Sequence, residues 1–176
     1  LVPMLVSWSV LCGTVEETHL RLQFALSESA ASDALQVGLP RIAISLYKDA
    51  LANAANAQAP QSEVRKLRLG LTSSFLAIGE IALAKEELKI LEHSGEQSGE
   101  VLLHLALISF LERDVEGLHE LMAELKSQDV SEENRSWVVF LQGIVAPSAA
   151  ASEALHSQAL KMAITLERRA DFRLLR

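Results

Sequence analysis

The chain has 176 residues, 49% apolar and 22% charged, with 5% aromatic residues, four Pro, eight Gly and one Cys. This composition excludes a disordered, collagen-like or membrane-embedded chain, and with few Val-Ile-Thr alternations it favours helices with a Leu and Ala core over sandwiches, barrels or parallel sheets. Sixteen basic against 23 acidic side chains give a formal charge of −7, which argues against nucleic acid, because affinity for phosphate backbones comes from clustered Lys and Arg.

Residues 1–12 form an apolar run that ends at Gly13, ahead of the polar Thr14, Glu16, Glu17 and Thr18. The run is shorter than the roughly 20 residues of a spanning helix and falls in the range of about 7–15 that suits the apolar region of a secretory signal. Residues 1–13 are therefore expected to be a signal peptide. With no initiating Met and no basic segment in front, the chain reads as a truncated record of a longer precursor. A packed N-terminal segment and a lipid anchor at Cys12 are the alternatives, although Leu11 suits a lipid-modified Cys poorly. The expected address is periplasmic or secreted, in a bacterial cell envelope, and cytoplasmic if residues 1–13 are not a signal. Cys12 is the only cysteine, so no disulfide framework exists, and no integral membrane span is expected.

Residues 14–176 read as one helical domain. Helical periodicity runs from about residue 15 onward, interrupted at 59–62, 93–99, 127–130 and 146–148. The segment opening at Gly38 places Ala43, Tyr47, Ala50 and Leu51 on one helical face. The same frame returns after Gly79 with Ala84, Leu88 and Leu91, after Arg113 with Leu118, Met122 and Leu125, and after Pro147 with Ser152, His156, Ala159 and Leu160. Turns at 38, 79, 113 and 147 lie 41, 34 and 34 residues apart, and a fixed period of 20–50 residues is the signature of stacked helical units. The seven extra residues of the first interval are expected in a longer loop at 57–63. A partner helix precedes each turn. Those at 101–111 and 137–145 are apolar nearly all round, as befits helices sandwiched between neighbours.

On these residues the chain resembles the tetratricopeptide repeat family, whose second helix shows Gly, a small residue, an aromatic and Ala, as in Gly38, Ala43, Tyr47 and Ala50. The resemblance covers residues 24–165 as four units and weakens toward the last. The first helices lack the family's Trp, Arg113 and Pro147 replace the turn glycine, and His156 replaces the aromatic. The resemblance implies an all-α fold, a right-handed α-solenoid of about four antiparallel helical hairpins. Other helical-hairpin repeats, and a plain helical bundle, produce the same pattern.

The chemistry-bearing residues are sparse. None of His19, His93, His104, His119 and His156 is paired at metal-ligand spacing. No Gly-X-Ser-X-Gly elbow or phosphate loop is present. The adjacent pairs Glu16-Glu17, Glu86-Glu87 and Glu132-Glu133 diverge by about 100° on a helix, which suits a solvated face rather than a shared acid–base site. Arg65, Lys66 and Arg68 form a small basic cluster without interleaved aromatics, an exposed helix start rather than an RNA platform. The basic stretch 166–176 is expected to cap the last helix. No cofactor, metal or catalytic residue is expected.

What remains is surface. By the resemblance, first helices line a concave groove that takes an extended peptide or helix of another protein. Projecting the frame places Glu28, Ser32, Lys66, Leu69, Ser73, Glu100, Leu103, His104, Leu107, Asn134, Trp137 and Leu141 there, a mostly apolar groove with few charges. Trp137 is the candidate anchor, because Trp is enriched at binding hot spots, or else it packs between the third and fourth hairpins. The expected function is a non-enzymatic protein–protein interaction scaffold; the alternative is an accessory domain of a larger enzyme or secretion assembly. An enzyme would require a pocket that brings His104 beside a carboxylate with a shifted pKa.

Overall fold

The structure, a computed structural model, describes residues 22–23, 25–94, 98–125 and 130–165. Residues 1–13 and 166–176, and with them the signal, anchor and cap expectations, lie outside the described residues, as do His19, Glu16 and Glu17. Among the described residues the fold is all-helical, without a strand. Helix α1 occupies residues 25–36. It is followed by α2 (Pro40–Asn56), α3 (Gln61–Ala77), α4 (Ile81–His93), α5 (Gly99–Glu112), α6 (Val115–Glu124), a 3-10 turn (Glu132–Asn134), α7 (Arg135–Ile144) and α8 (Ala149–Thr165). No helix of the described residues is long and apolar enough to cross a membrane.

The helix starts follow from local chemistry. Pro40 opens α2, where its missing N–H is not needed and its fixed φ suits the first turn. Ser98, Asp114 and Ser148 cap α5, α6 and α8 by accepting from the N–H groups of Val101 (3.4 Å), Gly117 (3.0 Å) and Ala151 (3.2 Å).

Three of the four turns share one stop signal. Gly38, Gly79 and Arg113 all take the left-handed conformation, at φ 81°, 78° and 61°. The following N–H reaches back five residues each time, from Leu39 to Ala34 (2.8 Å), Glu80 to Phe75 (3.0 Å) and Asp114 to Ser109 (2.9 Å). This 6→1 bond and the shorter bond from the left-handed residue itself form the Schellman motif that satisfies the last carbonyls of a helix. The sequence period thus returns as a backbone period even where Arg113 stands in place of glycine. The fourth turn departs from it: α7 ends at Val145 with φ −88°, and Pro147, whose ring fixes φ near −65°, cannot be left-handed.

The seven extra residues do not form a long loop. Helix α2 has 17 residues against 13 in α4, and α3 has 17 against 14 in α5, so the added length is helix. Pro60 reads as a break in sequence, yet it sits at the start of α3, where Pro is tolerated.

Helices α2 and α3, α3 and α4, α4 and α5, α5 and α6, and α7 and α8 pack on one another in turn, and α3 also packs on α5, and α5 on α7. The core falls into two clusters. Ala31 and Ala34 of α1, Ala43, Tyr47, Ala50 and Ala54 of α2, Leu67, Leu71 and Phe75 of α3, and Ala84, Leu88 and Leu91 of α4 make the first, with Val101 and Ile108. Leu103 and Ala106 join Leu118, Leu125, Val130, Val138 and Leu141 in the second. Helix α5 therefore feeds one cluster from the 101/108 side and the other from the 103/106 side, which is why it is apolar nearly all round.

The frame positions behave alike in the first three units. Ala43, Tyr47 and Ala50, then Ala84, Leu88 and Leu91, then Leu118 and Leu125 are buried, with Met122 partly so. In the last unit Ala159 is buried, Ser152 and His156 are half-buried, and Leu160, expected on the packed face, is 51% exposed.

Candidate groove

One concave groove of about 520 Å³ gathers residues from α1, α3, α5 and the 3-10 turn. Eight of the twelve residues projected from sequence meet there: Glu28 and Ser32 on α1, Lys66, Leu69 and Ser73 on α3, Glu100 and His104 on α5, and Asn134. Spacings of three, four and seven residues put each set on one helical face. Trp137 is not among the lining residues. It is half-buried against the second core cluster, with its ring edge-on to Phe140 at 6.0 Å, and Phe140 is edge-on to Phe110 at 5.7 Å.

Three of the projected leucines lie outside the groove lining. Leu103 and Leu141, projected into it, are core residues at 1% and 0% exposure, and Leu107 packs on the same cluster. In their place the structure adds Gln36, Tyr47, Arg65, Ser98 and Ser131 to the lining, with Leu35 and Gly70. Arg65 had a signal in its neighbour Lys66. Tyr47 had none as a groove residue, since its burial is that of a core aromatic. Its ring lies against Gly70, where any Cβ would collide with it, and through this gap the phenol reaches the groove.

Three polar links run along the floor. The Tyr47 hydroxyl bonds the side chain of Ser32; burial pushes that phenol up, the Ser32 bond opposes this, and the nearby Glu28 charge adds to the rise. Ser73 Oγ and His104 Nε2 lie 2.8 Å apart, joining α3 to α5. The Glu100 carboxylate accepts from the Ser131 backbone N–H and from the Asn134 amide, each at 2.6 Å, tying α5 to the turn before α7.

The contacts of His104 fix the direction of the central bond. His104 Nδ1 lies 2.7 Å from the Glu100 carbonyl oxygen, which only accepts, so Nδ1 carries the proton. Burial pushes the imidazole pKa down, against the raising effects of the Glu100 carbonyl and charge, and the ring is neutral. Nε2 is then the acceptor, and the Ser73 hydroxyl donates to it. Thr72 and Ser74, on either side, instead donate to Arg68 and Gly70 carbonyls in their own helix. Only Ser73 is turned outward.

The other sequence candidates lie apart from the groove. His93 is exposed and contacts the Lys89 carbonyl at 2.6 Å. His119 is exposed, and His156 packs on the Phe140 ring with a buried Nε2 that lacks a partner. Arg68 leaves the basic cluster to pair with Glu87 of α4 at 2.5 Å. Among the described residues no group of three or more His, Cys, Asp or Glu side chains is placed to hold a metal ion.

Compared with protein-family models, curated proteins and solved structures, the chain matches none of them.

Proposed function

We propose that the chain is a non-enzymatic interaction module, a tetratricopeptide-like, right-handed solenoid of about four hairpins that holds an extended segment of another protein in its groove. The observation that carries this reading is the meeting of eight frame-selected residues from successive first helices in one groove of about 520 Å³. The recurring left-handed turns at 38, 79 and 113 support the repeat frame. Residues 1–13 remain a proposed signal, which would place the module in a cell envelope, and a larger enzyme or secretion assembly is a natural setting for it. A rigid groove contributes affinity through few anchors and low ordering cost rather than through total area.

Selection from a displayed peptide library tests the reading. Gln36 is exposed and lines the groove, so Gln36→Trp fills the space without touching the core. Peptides retained by wild type and lost by Gln36→Trp are the expected result. Peptides held equally by both overturn it.

A second reading is favoured by one observation. Ser73, His104 and the Glu100 carbonyl are arranged as hydroxyl, base and orienting group, and His104 stands beside the Glu100 carboxylate with a lowered pKa. Against acyl transfer, Ser73 sits inside α3, where backbone N–H groups are engaged by i−4 carbonyls and supply no oxyanion donors. A fluorophosphonate probe decides: the scaffold reading predicts no adduct on Ser73, and a stoichiometric adduct lost in His104→Gln makes the chain an acyl transferase.

A further inference from the structure

We propose that the groove selects a partner segment bearing a lysine or arginine, whose cationic head is received by the Glu100 carboxylate and the outward lone pairs of Ser73. The inference rests on the groove reading and names the chemistry of its ligand.

Glu100 is a carboxylate held in place by neutral donors. One oxygen takes the Ser131 N–H and the other the Asn134 amide. Neither cancels its charge, and a carboxylate with two such bonds keeps lone pairs for a further donor. Its position in the first turn of α5 adds roughly half a positive charge from the helix end, which steadies the anion without neutralising it. Its neighbour His104 is held neutral, so the α5 wall keeps its negative charge.

Ser73 completes the receptor. Its proton is committed to His104 Nε2, leaving its oxygen able only to accept. The amide orientation of Asn134 is fixed likewise, with Nδ2 given to Glu100 and Oδ1 left as an acceptor. A wall of oriented acceptors around one carboxylate matches an ammonium or guanidinium, which only donates.

The groove cations Arg65 and Lys66 precede Ser73 by eight and seven residues on α3, about 10–12 Å along the helix axis, and Glu28 lines the same groove. The formal charge of −7 on the whole chain steers a basic segment toward it rather than away.

The test uses the whole chain and three pools of terminally blocked, labelled hexapeptides, randomised except for one central residue fixed as Lys, Glu or Leu, with binding read by fluorescence anisotropy. A charge-assisted contact of this kind corresponds to about a tenfold preference for the Lys pool over the Glu pool. Glu100→Gln should remove that preference, whereas Ile90→Ala, at an exposed residue of α4 outside the groove, should keep it. Equal binding of all pools, or a preference for Glu, rejects the cation receptor and leaves the groove reading standing. No binding of any pool to wild type rejects both.

Discussion

Ser73 and His104, 31 residues apart in the chain, are joined by a 2.8 Å hydrogen bond that links α3 to α5 across the groove floor. The Glu100 carbonyl fixes the tautomer of the buried imidazole and the imidazole fixes the direction of this bond, so it serves packing and groove chemistry together. Removing one partner leaves a buried polar atom unmet, which costs about 1–3 kcal/mol. Ser73→Ala is predicted to lower stability by that order in denaturant titration. A double-mutant cycle with His104→Leu should show strong coupling, since the second change removes the atom that the first orphans.

The same histidine sets a pH dependence. Its pKa in the folded state lies below the unfolded value, so the unfolded chain binds more protons as pH falls below about 6.5. Stability is therefore predicted to decline as pH drops through the unfolded value and to level off below the folded one. His104→Leu should flatten this part of the profile relative to wild type. Parallel profiles for the two proteins would show that His104 is not the group responsible.

Arg113 takes the left-handed conformation that glycine holds at 38 and 79. A side chain there costs about 1 kcal/mol that glycine avoids. Arg113→Gly is predicted to raise the melting temperature by a few degrees for a domain of this size. A lower melting temperature would mean that the Arg side chain contributes contacts that outweigh the strain.

Gly70 gives the opposite sign from its usual one. A helix-interior Gly→Ala change ordinarily stabilises by about 0.5–1 kcal/mol, but a Cβ at Gly70 meets the buried Tyr47 ring. Gly70→Ala is predicted to destabilise by about 1–3 kcal/mol, and Tyr47→Leu in the same chain should recover part of the loss. Additive effects in thermal melts would contradict the packing.

Ala43 and Ala84 occupy the same place in successive units and are both fully buried. Replacing either by Glu introduces an unpaired buried charge, costing about 3–5 kcal/mol. A near-native melt for either variant would reject the repeat frame.

Much of the backbone plan was legible because the frame repeats the same residue sizes: Ala43, Tyr47 and Ala50 foretell the burial of Ala84, Leu88 and Leu91. Period identified the turn at Arg113 where residue type did not. The groove lining was legible on α1 and α3, whose polar residues mark the outer side. It failed on α5 for Leu103 and Leu107, because a helix apolar all round offers no contrast between its faces. The extra length near Pro60 reads as a loop because Pro is punctuation in sequence, whereas at a helix start its missing N–H is not needed. The acceptor character of Ser73 depends on a pairing across 31 residues that no local pattern carries.

The central claim is that ligand lies in the groove between first helices, and site-specific photo-crosslinking tests it most directly. A benzophenone amino acid replaces Leu69, which lines the groove, or Ile90, an exposed residue of α4 away from it, and each protein is irradiated with the Lys-fixed hexapeptide pool. Crosslinks from position 69 and not from position 90 are the predicted result. Crosslinks from position 90 at equal or greater yield would place the ligand elsewhere and contradict the account.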